Sequence, residues 1–217
     1  MSGPGALLFD FGGTLDADGL AWKDRFRRLF AGVAPEGFDR AFYDADDALV
    51  GAVPADLPFA DTVRLLAQGV AERLRRPEAA APVAERFLED ARRALASNGK
   101  ILERLAERYR LGIVSNFYGN LEFVCRETGL SRHLTAAVDS AVLGATKPDP
   151  RIFRAALSAV GALPGEAVFV GDSLPRDMAG AKSLGMPHVW VRSGEGSPCC
   201  PGDCVIDSVR DLPEVLA

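Results

Sequence analysis

The chain is poor in features that mark several classes of protein. It has 2 histidines, 2 tryptophans and 3 methionines among 217 residues. No apolar run approaches the roughly 18 residues that a membrane-spanning helix needs, so no membrane partner is expected. Positive charge is not in excess: 25 Lys and Arg stand against 30 Asp and Glu, a net charge of −5. That balance argues against a nucleic-acid partner, whose phosphates are met by basic patches. The opening Met1-Ser2-Gly3-Pro4-Gly5 has no basic region and no cleavage pattern, and the apolar run after it is short and ends in acid. A cytoplasmic location is the expectation. Cysteine is sparse, with 4 in the chain. Cys125 falls in a predicted helix, while Cys199, Cys200 and Cys204 cluster near residue 200. Structural zinc usually takes four ligands, and the nearby His188 falls on a predicted strand, so a reduced surface loop is expected.

What the chain does have is apolar mass. Hydrophobic residues make up 48%, enough for one large domain or a core with a smaller insert. Short apolar runs bounded by turn residues predict strands at 6–9, 111–114, 135–138, 167–170, 188–191 and 204–206. Helical spacing of apolar residues predicts helices at 120–128, 150–160 and 177–184. Strand alternating with helix predicts an α/β fold, a parallel sheet covered on both faces. Right-handed crossovers then place every strand's C-terminal end at one edge.

The alternation breaks once. Helical spacing recurs at 22–30, 38–49, 61–74 and 82–96, punctuated by Pro35, Gly37, Pro54, Pro58 and Pro77, with no convincing strand between them. A small all-helical subdomain inserted after the first strand is predicted, joined near 15–20 and 96–100. Ser97-Asn98-Gly99 reads as a helix stop and hinge.

Four segments fall at predicted strand ends or open the helices beyond them. They are Asp10 with Gly12, Gly13 and Thr14; Ser115-Asn116; Thr146-Lys147-Pro148; and Gly171-Asp172-Ser173-Leu174-Pro175-Arg176-Asp177. In a sheet of this kind all four converge on one crevice. Asp10, Asp172 and Asp177 then surround one point, and like charges at close range need a compensating cation. An oxygen-only set favours Mg²⁺. Lys147, the hydroxyls of Thr14 and Ser115, and backbone N–H groups at Gly12 and Gly13 suit the oxygens of a phosphoryl group. Asp10 could attack phosphorus and form an aspartyl phosphate.

These four ordered motifs resemble those of the haloacid dehalogenase superfamily, over nearly the whole chain. The resemblance implies a Rossmann-like core at 1–17 and 98–217 and a helical cap at 18–97. It implies that Asp10 is the nucleophile, that Thr14 and Ser115 bind the phosphoryl group, and that Lys147 steadies both. Asp172 resembles the direct Mg²⁺ ligand, and Asp177 the residue holding the metal's water shell or the lysine. Gly12, Gly13 and Asn116 are expected to meet substrate. Asp10 and the carbonyl of Gly12 are expected to complete the metal set. The expected activity is Mg²⁺-dependent hydrolysis of a small phosphorylated molecule.

The chain departs from that pattern at position 12. Phosphatases of the superfamily carry a second Asp two residues after the nucleophile, and here that residue is Gly12. General acid–base help, worth about 10² to 10⁴ in rate, is lost with it. Asp16 and Asp18 are the loop carboxylates that could substitute. Two further branches lack the acid: metal-free dehalogenases, and phosphonate hydrolases that use a cap lysine, for which Lys23 is the candidate. A binding or regulatory protein that scarcely turns over is the alternative from another class. Asp44, Asp46 and Asp47 are expected to face solvent, as are Arg25, Arg27 and Arg28.

Overall fold

The computed structural model describes residues 4–32, 35–193 and 204–216. Six strands form one sheet: β1 (Ala6–Phe9), β2 (Arg110–Ser115), β3 (Ala136–Asp139), β4 (Ala167–Gly171), β5 (His188–Val191) and β6 (Cys204–Ile206). Every adjacent pair is parallel, in the order β3-β2-β1-β4-β5-β6. This is the α/β, Rossmann-like arrangement expected. All six predicted strands are present, and Cys204 opens β6. Cys199 and Cys200 lie outside the described residues.

The pleat explains how β1 holds the molecule together. All four of its residues are fully buried. Leu7 and Phe9 join the cluster on one face, and Ala6 and Leu8 the cluster on the other. The second face is covered by α7 (Pro150–Val160) and α8 (Ala179–Ser183), through Ile152, Phe153, Ala156 and Ala181. Asp149 caps α7, accepting the Arg151 N–H at 2.8 Å, with Pro150 at the first helical position. Shorter helices α5 (Leu121–Glu127), α6 (Ser140–Leu143) and α9 (Leu212–Val215) complete the layers.

Between β1 and β2 run α1 (Trp22–Leu29), α2 (Pro35–Asp47), α3 (Phe59–Arg73) and α4 (Ala80–Ala106). Their apolar stripes meet in an aromatic cluster that includes Phe26, Phe30, Phe38, Phe42 and Phe87. Phe26 and Phe87 lie 4.8 Å apart, centroid to centroid. Each buried phenylalanine contributes about 1.5–3 kcal/mol by leaving water. This cluster is continuous with the first face of the sheet.

The hinge read at Ser97-Asn98-Gly99 is not there. α4 is one helix of 27 residues, about 40 Å long, and runs straight through it. The side chain of Asn98 is buried and donates to the Leu15 carbonyl at 3.0 Å, which offsets its poor helix propensity. The helix predicted at 177–184 also differs: a π-helical turn, Leu174–Met178, precedes α8. Among the described residues, no helix is long and apolar enough to cross a membrane.

Candidate active site at the carboxyl edge of the sheet

Strand order reverses at β1, whose neighbours β2 and β4 lead the chain to opposite sides. Connections that diverge in this way leave a crevice at the strands' carboxyl ends. Asp10 follows β1 and is fixed there by its N–H bond to the Val170 carbonyl, 2.9 Å. Ser115 ends β2, and Asp172 follows β4.

Asp10 Oδ1 accepts from Lys147 Nζ at 2.6 Å and from Ser115 Oγ at 2.9 Å. Lys147 Nζ also lies 2.7 Å from Asp177 Oδ1. Asn116 holds the Lys147 backbone from both sides: its Oδ1 accepts the Lys147 N–H at 2.7 Å, and its Nδ2 donates to the Lys147 carbonyl at 3.2 Å. Thr14 Oγ1 donates to Asp172 Oδ1 at 3.3 Å. Both predicted phosphoryl-binding hydroxyls thus donate to carboxylates here. Gly171 is required at its place, since a Cβ there would overlap the Asp177 carboxylate.

The charge balance is uneven. Oxygens of Asp10, Asp172 and Asp177 lie within 4.8 Å of one another. Desolvation raises the Asp172 carboxyl well above its ordinary range, and the charges of Asp10 and Asp177 push it further. Burial pulls the Lys147 ammonium down, but Asp10 and Asp177 outweigh it and the net movement is upward. Three carboxylates therefore face one buried ammonium. An all-oxygen donor set with surplus negative charge fits Mg²⁺.

The loop after Asp10 is organised around a different carboxylate. Asp16 is fully buried. Its Oδ2 pairs with Arg25 Nη1 at 2.6 Å and accepts from Trp22 Nε1 at 2.7 Å; its Oδ1 accepts the Gly13 N–H at 2.7 Å. Asp16 is therefore not free to serve as the substitute acid. Asp18 is engaged as well, with Arg210 at 2.8 Å and Ser208 Oγ at 2.8 Å. The Gly13 N–H, expected to face substrate, serves Asp16 instead. Gly13 has φ +96, and a Cβ on it would sit 2.6 Å from Asp172 Oδ2. Arg25, expected on a solvated face, is buried and lies 3.5 Å above the Phe87 ring.

The missing acid now has a steric explanation. A Cβ at Gly12 would stand 3.1 Å from Trp22 Nε1 and 3.3 Å from Trp22 Cδ1. The indole crowds the direction a side chain at position 12 would take and would have to give by a few tenths of an ångström to admit one.

A cavity of about 280 Å³ opens above Asp10, and Gly12, Ser115, Asn116, Lys147 and Asp177 also line it. Trp22, Tyr43 and Tyr118 supply aromatic wall, and Lys23, Asp46, Asp47 and Arg176 supply charge. Lys23 pairs with Asp39 at 3.2 Å. Burial lowers its pKa, but Asp39 prevails and the net movement is upward. That is opposite to what a Schiff-base lysine needs. Asp46, expected in solvent, is half-buried and accepts the Tyr118 hydroxyl at 2.5 Å. Sequence spacing gave no signal for this contact, which joins residues 72 apart.

Sheet order and clustered carboxylates define a Rossmann-like α/β protein with a carboxylate-lined crevice at its strand ends. The chain belongs to the haloacid dehalogenase-like hydrolases, whose family model matches residues 4–185. A plasmid-borne phosphoglycolate phosphatase of Cupriavidus necator is 32% identical over 184 residues, covering 74% of this chain and 78% of that one. A phosphoserine phosphatase of Thermus thermophilus is 36% identical over 113 residues, covering 52% of this chain and 41% of its own length. The chain thus spans less than half of that relative, and half of a bovine family member. A dehalogenase solved with an intermediate complex aligns with TM-score 0.66 at 22% identity, covering 100% of this chain and 99% of that one. A phosphatase from Thermococcus onnurineus aligns with TM-score 0.57 at 24% identity, covering 98% of each. These two likenesses concern the fold alone.

Proposed function

We propose that the protein is a Mg²⁺-dependent phosphatase of a small phosphorylated metabolite, with Asp10 as nucleophile. The observation that carries this reading is the set of three carboxylates around a single buried lysine. The names of the phosphatase relatives support the reaction class.

Asp10 Oδ1 is held by Lys147 and Ser115, which leaves Oδ2 to attack phosphorus. Lys147 orients Asp10. Asn116 fixes the Lys147 backbone and so the reach of its side chain. Asp10, Asp172 and Asp177, with the Gly12 carbonyl, would hold the metal, and the ion would neutralise charge on the phosphoryl oxygens. Helices α1–α3 and the first half of α4 act as the cap, closing the cavity over the nucleophile. A cavity of about 280 Å³ suits a small molecule.

Intact mass after exposure to Mg²⁺ and acetyl phosphate tests the reading. A gain of one phosphoryl group, or release of phosphate, is expected in the parent protein and in neither case in Asp10→Asn. Phosphate release that survives Asp10→Asn would sink it. Gly12 favours a second reading, a phosphate- and metal-binding protein with little turnover. In that case Mg²⁺ and phosphate bind together and no phosphoryl group is transferred.

A further inference from the structure

If Asp10 is the nucleophile, two protons still have to move. One must reach the leaving oxygen, and one must leave the water that clears the aspartyl phosphate. Position 12 offers no group, and Asp16 and Asp18 are held by Arg25 and Arg210. The cavity wall adds two carboxylates beyond the core cluster, Asp46 and Asp47, both from α2. Asp47 is exposed. Asp46 is half-buried, and it is anchored: the Tyr118 hydroxyl donates to its Oδ1 at 2.5 Å, and the Gly51 N–H beyond α2 binds the Tyr118 carbonyl at 3.0 Å. The end of α2 is thereby tied to the loop that follows Ser115.

We propose that Asp46 is the proton-exchanging group of this site, supplied by the helical insert in place of the acid absent at position 12. The inference rests on the phosphatase reading. In the first step the Asp10 carboxylate forms a bond to phosphorus, the bond from phosphorus to the leaving oxygen breaks, and Asp46 passes its proton to that oxygen. In the second step the Asp46 carboxylate takes a proton from water as the water oxygen bonds to phosphorus. The Asp10–phosphorus bond breaks, and inorganic phosphate leaves.

The surroundings of Asp46 agree with this role. Desolvation raises its carboxyl, and the Tyr118 hydrogen bond opposes that rise. The Asp47 charge raises it further and Arg176 lowers it, with a net upward movement. Burial and the nearby Asp46 hold the Tyr118 phenol far above its ordinary range, so it stays a donor. Oδ1 is the oxygen that accepts, and Oδ2 is left to carry the proton. Lys23 and Tyr43 are the other titratable groups that the insert places on this cavity.

The test uses Mg²⁺ and acetyl phosphate, whose leaving group needs no proton, so that clearance of the phosphoenzyme is read alone. Asp46→Asn is expected to accumulate the Asp10 phosphoryl adduct and to release phosphate about 10²-fold more slowly. Parent activity should rise with pH as Asp46 loses its proton, and Asp46→Asn should lack that limb. Tyr118→Phe removes a bond that favours the carboxylate, so it should shift the limb to higher pH and leave the plateau. Asp44→Asn, exposed on the same helix, should match the parent. Parent-like release and pH profile in Asp46→Asn would overturn the assignment. A parent protein that gives neither adduct nor phosphate would overturn the phosphatase reading, and this inference with it.

Discussion

Two buried carboxylates lie six residues apart on one loop, each against a cation, in opposite surroundings. Asp16 is sealed: one charge meets one charge, with Arg25 also reaching the Phe87 carbonyl at 3.0 Å and Trp22 and Gly13 filling the remaining acceptor positions. Asp10 opens onto a cavity and shares its single lysine with Asp177. The choice of cation matches. A guanidinium fork fixes three chain segments at once, whereas an ammonium is a compact charge that can follow a reacting group. A saturated cluster organises the loop, and an unsaturated one beside it is left open to the cavity.

The largest expected effect separates the two at once. Asp10→Asn should lower phosphoryl transfer by roughly 10⁴-fold or more. Its melting temperature should stay near that of the parent, because one of three crowded charges has gone. Asp16→Ala should do the reverse. Leaving Arg25 buried without its partner should cost about 3–5 kcal/mol of folding stability, read from urea unfolding. Similar losses of stability in both variants would break the comparison.

Metal should sharpen it. Saturating Mg²⁺, at about a hundred times its dissociation constant, should stabilise the parent by about 2.7 kcal/mol. Chelator should remove that gain and the activity together. Asp16→Ala should keep the Mg²⁺ increment, and Asp172→Asn should lose most of it. The smallest effect concerns position 12. Gly12→Asp should cost about 1–3 kcal/mol through overpacking against Trp22 and should not raise turnover. A gain of activity would show that the indole moves aside.

The sheet was legible because its strands carry their own evidence. Runs such as Ala6-Leu7-Leu8-Phe9 are buried on both faces, so apolar character alone marks them. The motif residues were legible because parallel topology leaves a strand-end carboxylate one place to go. Roles that depend on how a loop or a distant segment folds were not. Asp16 looked like a free acid because nothing local announces that Arg25 and Trp22 will fold over it. Asp46 looked solvated because its partner Tyr118 arrives from beyond β2. Ser97-Asn98-Gly99 has the composition of a helix stop, yet a carbonyl from residue 15 satisfies Asn98 and the helix continues. For Asp46 and Asn98 a long-range hydrogen bond overrode a local preference, and for Asp16 the turn of the loop brought in partners six and nine residues on.

The central place of β1 bears on how the chain is made. Its two partner strands begin at residues 110 and 167, and the site draws on residues 115, 147, 172 and 177. Asp10 is therefore made well before β4 and the carboxylates of Asp172 and Asp177 that complete the cluster around it. Such distant pairings fold slowly and leave apolar segments uncovered while they wait. The aromatic insert, whose helices are local in sequence, can form in the interval and shelter the first strand. The cluster would then be assembled only after β4 and Asp177 have been made.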